Sequence, residues 1–442
     1  MQSRRAGRRE PSSRRSRGTD IVSTIAAAPA TSRVSIRRAR VLGIVFMALG
    51  FAAAWWFGFG SESGLDSTFG LNSRSSEVDL PPLALPSRET ALLLAAICVF
   101  LGAIQLTRGF GKQANLILGV AVGCFILAFL VWAARDDSLN MVGMLQSTLL
   151  RSVPITLGAL SGLLCERSGV INIAIEGMML TAAFMGAIVG SAAGSTWVGL
   201  ILAVLAGGLL GALLAVLSIR YRVDQIVGGT VINILALGLT SYLSAQILAR
   251  YQNLNSPGRF PVIEIPLLSD IPIIGPMLFA NNLFIYLMFI LVIGINIALF
   301  RSRWGLRVRA VGEHPKAADT VGIKVLGVRY RNVILGGMVA GLAGAYFTLG
   351  SVGRFDENMT GGRGFIALAA MIFGRWNPIG AFGAALVFGF ADSLQNTLAI
   401  LQVPIASEFL LMAPYIATIL VVAGVVGRAR PPAADGQLYI KE

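Results

Sequence analysis

A polytopic α-helical bundle spanning a membrane, with about ten to twelve helices, is the fold class this 442-residue sequence predicts. Three observations carry it. Only 13% of residues are charged and 55% are hydrophobic, with a mean hydropathy of +0.74, whereas a soluble chain carries about 25% charged residues. Apolar runs close to the length of a bilayer-crossing helix recur along the whole chain. Strand-type alternation is absent, which argues against a membrane β-barrel.

The elements follow in order. Residues 1–40 hold eleven Arg against Glu10 and Asp20, nine of the net +14 charges. Without apolar periodicity this stretch is expected to be a disordered basic tail lying on anionic lipid; nucleic acid is not expected as a partner. Apolar spans are read at 41–60, 90–107, 115–134, 141–164, 170–192, 196–219, 223–249, 282–300, 332–352, 364–376, 378–400 and 408–427. Ala52-Ala53-Ala54 faintly resembles a leader-cleavage site, but Trp55 and Trp56 suit an interfacial anchor, so the first span is kept as a retained helix. The span 364–376 is too short to cross upright and is expected to be a broken helix covered by protein. The chain then divides into the tail 1–40, N-terminal helices at 41–134, a core transmembrane domain at 135–427 with a hydrophilic loop at 301–331, and a second tail at 428–442.

Charge sets the orientation. Basic residues fall in 108–114, 165–169, 220–222 and 301–331, the last with eight Lys/Arg, while 61–89 carries five acids against two Arg. The positive-inside rule then puts both termini in the cytoplasm of a multi-pass plasma-membrane protein. Gly207/Gly211 and Gly337/Gly341 give two GxxxG spacings, suited to close helix approach. Cys98, Cys124 and Cys165 lie far apart, in or beside apolar runs, and read as packing residues.

The stretch RSRWGLRVRAVGEHPKAADTVGIKVLGVRYR, Arg301 to Arg331, is too long for a minimal connection. Pro315 suits a first helical turn, residues to Val321 propagate it and Gly322 ends it. Its Ala317/Ala318/Val321 side is small and apolar, shaped for a partner's groove; a solvated basic loop explains the same residues equally well. GEHPKAADTVGI resembles the cytoplasmic loop of permease subunits of bacterial ABC importers, in the branch serving branched-chain amino acids, simple sugars and nucleosides. GVINIAIEGMML and GRGFIALAAMIFGRWNPIGAFGAALVFG (362–389) resemble further hallmarks of that branch, the former most closely in nucleoside permeases.

The resemblance spans roughly 140–427 and implies a partner permease forming a heterodimer, two ABC ATPase subunits beneath, and a solute-binding protein or lipoprotein outside. It implies coupling to the ATPase through Gly312, Glu313, His314, Pro315, Ala317, Ala318, Gly322 and Ile323. His314 and Pro315 stand where the family has a polar pair that often includes Asn.

Some chemistry is missing. No G-x-x-x-x-G-K-[ST] occurs, GFGKQ at 109–113 being nearest, so the chain is expected to bind no cofactor, with ATP hydrolysed by partner subunits. His314 is the only histidine, which excludes a His-based triad or multi-His metal site within the chain; it is not expected to be an enzyme.

Glu176 is the outstanding residue. A helix starting at Gly169 or Val170 places its carboxylate about 10 Å below the membrane surface, where charge costs up to about 2.5–3.5 kcal/mol. Three readings stay open: bridging helices with Asn172 one turn earlier, contacting solute, or titrating with protons. The first is favoured because the residue sits near the cytoplasmic end, and titration comes last because Asp224 and Asp392 are far off in sequence and offer no relay. Further candidates for the pathway or for helix bridging are Asn233, Asn332, Gln395 and Asn396, with Phe347 and Phe365 able to stack a base. The functional reading is an ABC permease subunit, most readily for nucleosides. A sugar or branched-chain amino-acid permease comes next, and an ion-coupled secondary transporter is the alternative from another class.

Overall fold

The computed structural model describes residues 31–72, 80–401 and 430–441, with single positions 403, 409 and 412. Most of the expected span 408–427 and most of the basic tail lie outside the described residues. Fourteen α-helices run through the described residues in chain order: α1 Thr31–Ala53, α2 Ser87–Thr107, α3 Ala114–Ala133, α4 Met141–Glu166, α5 Ile175–Ala193, α6 Thr196–Ala215, α7 Gln225–Leu243, α8 Ile274–Leu278, α9 Leu283–Arg301, α10 Arg303–Glu313, α11 Pro315–Thr320, α12 Val325–Ala345, α13 Arg363–Phe373 and α14 Pro378–Ile400. Among the described residues nine helices are long and apolar enough to cross a membrane. At 23 residues, α14 has a similar reach of about 35 Å. The helical bundle predicted from composition is the fold observed.

Two boundaries differ from expectation. α1 begins at Thr31, because TSRVSIRRAR contains neither Gly nor Pro and nothing in it ends a helix; the tail is therefore helical over its last ten residues. α5 begins at Ile175, not at Gly169 or Val170, and this changes the meaning of Glu176, as shown below.

The described residues fold as two compact units, one within 31–62 and 88–129, the other within 63–87 and 130–441. In the first, Phe46, Cys98 and Ala121 form a small buried cluster, and Phe57 packs edge-on against Phe129 with ring centroids 5.5 Å apart. Trp55 and Trp56 are more than 60% exposed at the end of α1, as interfacial anchors should be.

The second unit is built around α4, 89% buried over its apolar window, with α12 at 72% and α5 at 61%; α6, α7 and α9 lie between 28% and 39%. The less buried helices turn large apolar residues such as Leu209, Ile234 and Ile290 outward, the arrangement lipid requires. The two GxxxG spacings turn out to be one contact. A Cβ at Gly337 would come within 2.9 Å of Gly211 Cα, and one at Gly207 within 2.5 Å of Gly341 Cα, so α6 and α12 meet backbone to backbone. Short strands lie between the spans: β1 (Asp66–Gly70) pairs antiparallel with β2 (Leu83–Pro86) and parallel with β3 (Ser138–Asn140). β4 (Val262–Glu264) pairs antiparallel with β5 (Ala280–Asn282).

Candidate functional site

Breaks in helical backbone organise the interior. Between α4 and α5, residues 170–174 carry no regular structure, and in a bilayer such a stretch needs protein partners for its polar groups. Gly169 turns the chain at φ +84°, and the Asn172 side-chain Oδ1 accepts from Ala174 N–H at 3.1 Å. Gln225 Oε1 accepts from Ile171 N–H at 2.7 Å. Asn233 on α7 donates to Ile173 O at 2.8 Å and accepts from Gly177 N–H at 2.8 Å. Asn233 therefore joins α7 to the break. Asn172 is fully buried, its amide facing Ser161 and Cys165. It does not partner Glu176, because the helical turn that would bring them together is absent.

Glu176 sits in the first turn of α5 and is 9% exposed. Its Oε1 accepts from Thr360 Oγ1 at 2.6 Å and Gly362 N–H at 2.8 Å, and its Oε2 from Gly364 N–H at 2.6 Å. Gly362 is the N-cap of α13, at φ +80°. The carboxylate therefore holds the open N-terminus of the half-length helix, where unpaired N–H groups and the dipole both favour an anion.

A second break shapes a cavity. Pro154 inside α4 has no N–H for the carbonyl of Leu150, and that oxygen takes the Tyr346 hydroxyl at 2.8 Å instead. Tyr346 opens a π-helical stretch, Tyr346–Val352, at the end of α12, a widening frequent at functional sites. Between these elements lies a cavity of about 460 Å³, lined by Ser147, Leu150, Arg151 and Pro154 of α4, residues of the π-helical stretch including Tyr346 and Phe347, and Asp356, Met359 and Arg363. Behind it, Asp392 of α14 faces Arg151 at 3.8 Å and Arg363 at 3.6 Å. The Arg363 guanidinium lies 5.8 Å from the Phe347 ring centre. A cavity of this size with few convergent polar groups is the usual form of a small-molecule site.

Of the sequence candidates, Phe347 lines the cavity. Phe365 is 49% exposed on α13, and Asn396 is exposed with its amide on Asp392 O. Asn332 is buried with its amide on Val328 O, one turn back on its own helix. Arg151, Asp356 and Arg363 were not singled out by sequence reasoning. Arg151 stood as a lone cation inside an apolar span, which is the signal that finds it.

At the other end of the core lies the 301–331 stretch. It is mostly helical: Ser302 caps α10, accepting from Gly305 N–H at 3.1 Å, and α11 occupies Pro315–Thr320. His314 acts as its N-cap, Nδ1 accepting from Ala317 N–H at 3.2 Å, which Asn would do equally well. Gly322 leaves the helix at φ +83°. The small apolar face is split. Ala318 is buried against Val311, Val325 and Tyr439, while Ala317 and Val321 remain exposed. Gly312 abuts the Arg167 carbonyl so closely that no Cβ fits. Arg167 donates to Trp376 O at 3.0 and 2.7 Å, and Trp376 Nε1 donates to Glu166 at 2.6 Å. Burial lowers the Arg167 pKa, with Glu313 raising it in part.

The family described as branched-chain amino acid transport system / permease component matches residues 144–422. The chain is 42% identical to the guanosine ABC transporter permease protein NupQ of Bacillus subtilis, over 67% of this chain and 95% of that protein. It is 39% identical to the nucleoside ABC transporter permease protein NupC of Lactococcus lactis, over 69% and 99%. It is 35% identical to the putative glucose ABC transporter permease protein TsgC13 of Haloferax volcanii, over 57% and 77%. No solved structure matches the chain significantly.

Proposed function

The chain belongs to the branched-chain amino acid transport system / permease component family, and on that premise we propose that it forms the nucleoside pathway of an ATP-driven importer. The observation that carries the reading is the cavity beside α4, α13 and the π-helical end of α12. Phe347 offers a ring for a base, while Arg151, Arg363, Ser147 and Asp356 offer donors and acceptors for ribose and base edges. Asp392 is set against both Arg151 and Arg363, while Asp356 is paired with Arg354. Glu176 serves this site from behind by fixing the end of α13 that carries Arg363.

In the proposed assembly a second permease pairs with this one, ABC ATPase subunits bind beneath, and a solute-binding protein delivers from outside. ATP is bound and hydrolysed by the partners. The basic end with α10 and α11 faces the cytoplasm, as the positive-inside rule requires. There α11, with Ala317 and Val321 exposed, is the docking surface. A sugar is the runner-up solute, supported by the glucose permease among the relatives.

The test is uptake of labelled guanosine, adenosine, glucose and leucine by the complete importer in liposomes. Nucleoside accumulation that needs ATP and the ATPase, and falls in Phe347→Ala and Arg363→Gln, supports the reading. Uphill accumulation by this chain alone overturns it.

A further inference from the structure

The last described residues, 430–441, form no regular element, yet they are among the best-tied parts of the basic end. Ala434 N–H donates to Gly312 O at 2.8 Å, and Ala433 N–H to Glu313 Oε2 at 3.2 Å. Arg329 of α12 donates to Gln437 O at 2.8 Å. The Tyr439 ring, 8% exposed, fills the cluster of Val311 from α10, Ala318 from α11 and Val325 from α12. Gly436, at φ +73°, lies so near the 170–174 break that a Cβ there would be 2.7 Å from Ile171 Cδ1. One short segment thus touches three helices and the break that follows α4.

We infer that residues 431–441 are a strap that fastens α10 and α11 to the bundle, so that α11 cannot hinge freely when pushed. α11 has six residues and one buried side chain, Ala318. A single turn or so of helix has little stability of its own, and force applied to it would be absorbed by local unfolding unless another element pins it. Tyr439 supplies the pin, packing with Val311 and Val325 around Ala318. The bonds to Gly312 and Glu313 hold the residues immediately before α11, where the chain turns from one helix into the next.

The strap is a statement about anchoring; its consequence for transport rests on the proposed docking role of α11. Three forms of the full chain test it: wild type, a deletion of residues 431–442, and Gly436→Val, which pushes the segment off Ile171 while leaving Tyr439 and the length intact. Each is placed in nanodiscs, and hydrogen exchange is read at 312–323 against the core helices α4 and α6. Loss of protection at 312–323, with α4 and α6 unchanged, supports the strap. Unchanged protection in a deletion variant that elutes as a single species overturns it. If the deletion misfolds, Gly436→Val is judged by the same readout. In the complete importer, solute moved per ATP then falls while ATP hydrolysis continues. Protection lost with solute per ATP unchanged sinks the docking role of α11 and leaves the anchoring intact.

Discussion

Replacing Glu176 separates its roles most cleanly. Its two oxygens take three hydrogens, from Thr360, Gly362 and Gly364, at 2.6–2.8 Å. Glu176→Leu leaves both glycine N–H groups unpaired beside a buried side chain, at about 1–3 kcal/mol each. It also removes the anion from the α13 terminus, worth about 0.3–2 kcal/mol. The loss is then roughly 2–8 kcal/mol, enough to detach α13 from α5. Membrane insertion itself is not impaired, since Leu inserts more readily than Glu.

Glu176→Gln keeps one acceptor and presents an NH₂ to the other donors. The Thr360 hydroxyl can turn to accept, but one glycine N–H is left facing a donor, a cost of about 1–3 kcal/mol. The expected order of heat resistance in detergent is wild type, Gln, Leu, with normal amounts of all three in the membrane and uptake falling in the same order. Leu melting with wild type, or Gln melting below Leu, refutes the claim that the carboxylate holds the α13 terminus. Equal stability with complete loss of uptake in both variants would assign Glu176 to the solute instead.

Four further outcomes are expected. Gly337→Val drives a branched side chain into Gly211 and lowers thermal stability by about 1–3 kcal/mol or more, whereas Gly119→Ala, with nothing within 4 Å of its Cβ, does not lower it and gains helix propensity; melting of the purified chain compares them. Ala317→Arg, at an exposed position, abolishes co-purification of the ATPase without altering the melting temperature. Asp392→Asn leaves Arg151 and Arg363 facing each other without their shared carboxylate, and ATP-driven uptake should fall at least as far as in Arg363→Gln. Finally, burial pushes the Asp435 carboxyl up to about 6 from its ordinary 3.8, with Glu166, the Gly436 N–H and Arg329 drawing it down in part. A raised acid favours the docked state at low pH. The strap therefore holds most tightly below about 4 and loosens as pH rises through about 6. Fluorescence anisotropy of a label at Lys441→Cys reads this, and Asp435→Asn should flatten the pH response.

Hydropathy located the spans because lipid demands long apolar helices, and that demand is local in sequence. The breaks were less visible, because what permits them is distant. The segment 170–174 departs from a helix only because Gln225 and Asn233, more than fifty residues on, receive its backbone. A local signal did exist: Gly169 followed by Asn172, a turn residue and then an Asx acceptor, is a stop and restart. The high apolar content of VINIAI outweighed it. α11 was legible, since Pro315 and Gly322 bound it from both sides. Which of its alanines faces inward was not, because Tyr439 decides that from 121 positions away. The cavity charges were present as exceptions within apolar spans, but only folding brings Arg151, Arg363 and Asp392 within 4 Å as ion pairs.

The placements have a common logic. α13 is too short to cross a bilayer, about 15 Å from Arg363 to Phe373, so neither of its ends can be solvated by membrane. Each end is therefore held by a charged side chain from the chain that flanks the 170–174 break: Glu176 at the N-terminus and Arg167 at Trp376. Arg167 in turn has its carbonyl against Gly312 at the end of α10, and Arg363 reaches the cavity. The half-helix thus touches the cavity with its first turn and the neighbourhood of α10 just past its last. A full-length helix in this position would be gripped by lipid and neighbours along its whole side. The short rod is gripped by protein instead, with Ala367, Ala370 and Met371 fully buried in the core, and the costly carboxylate and guanidinium groups satisfy the polar ends that apolar packing leaves open.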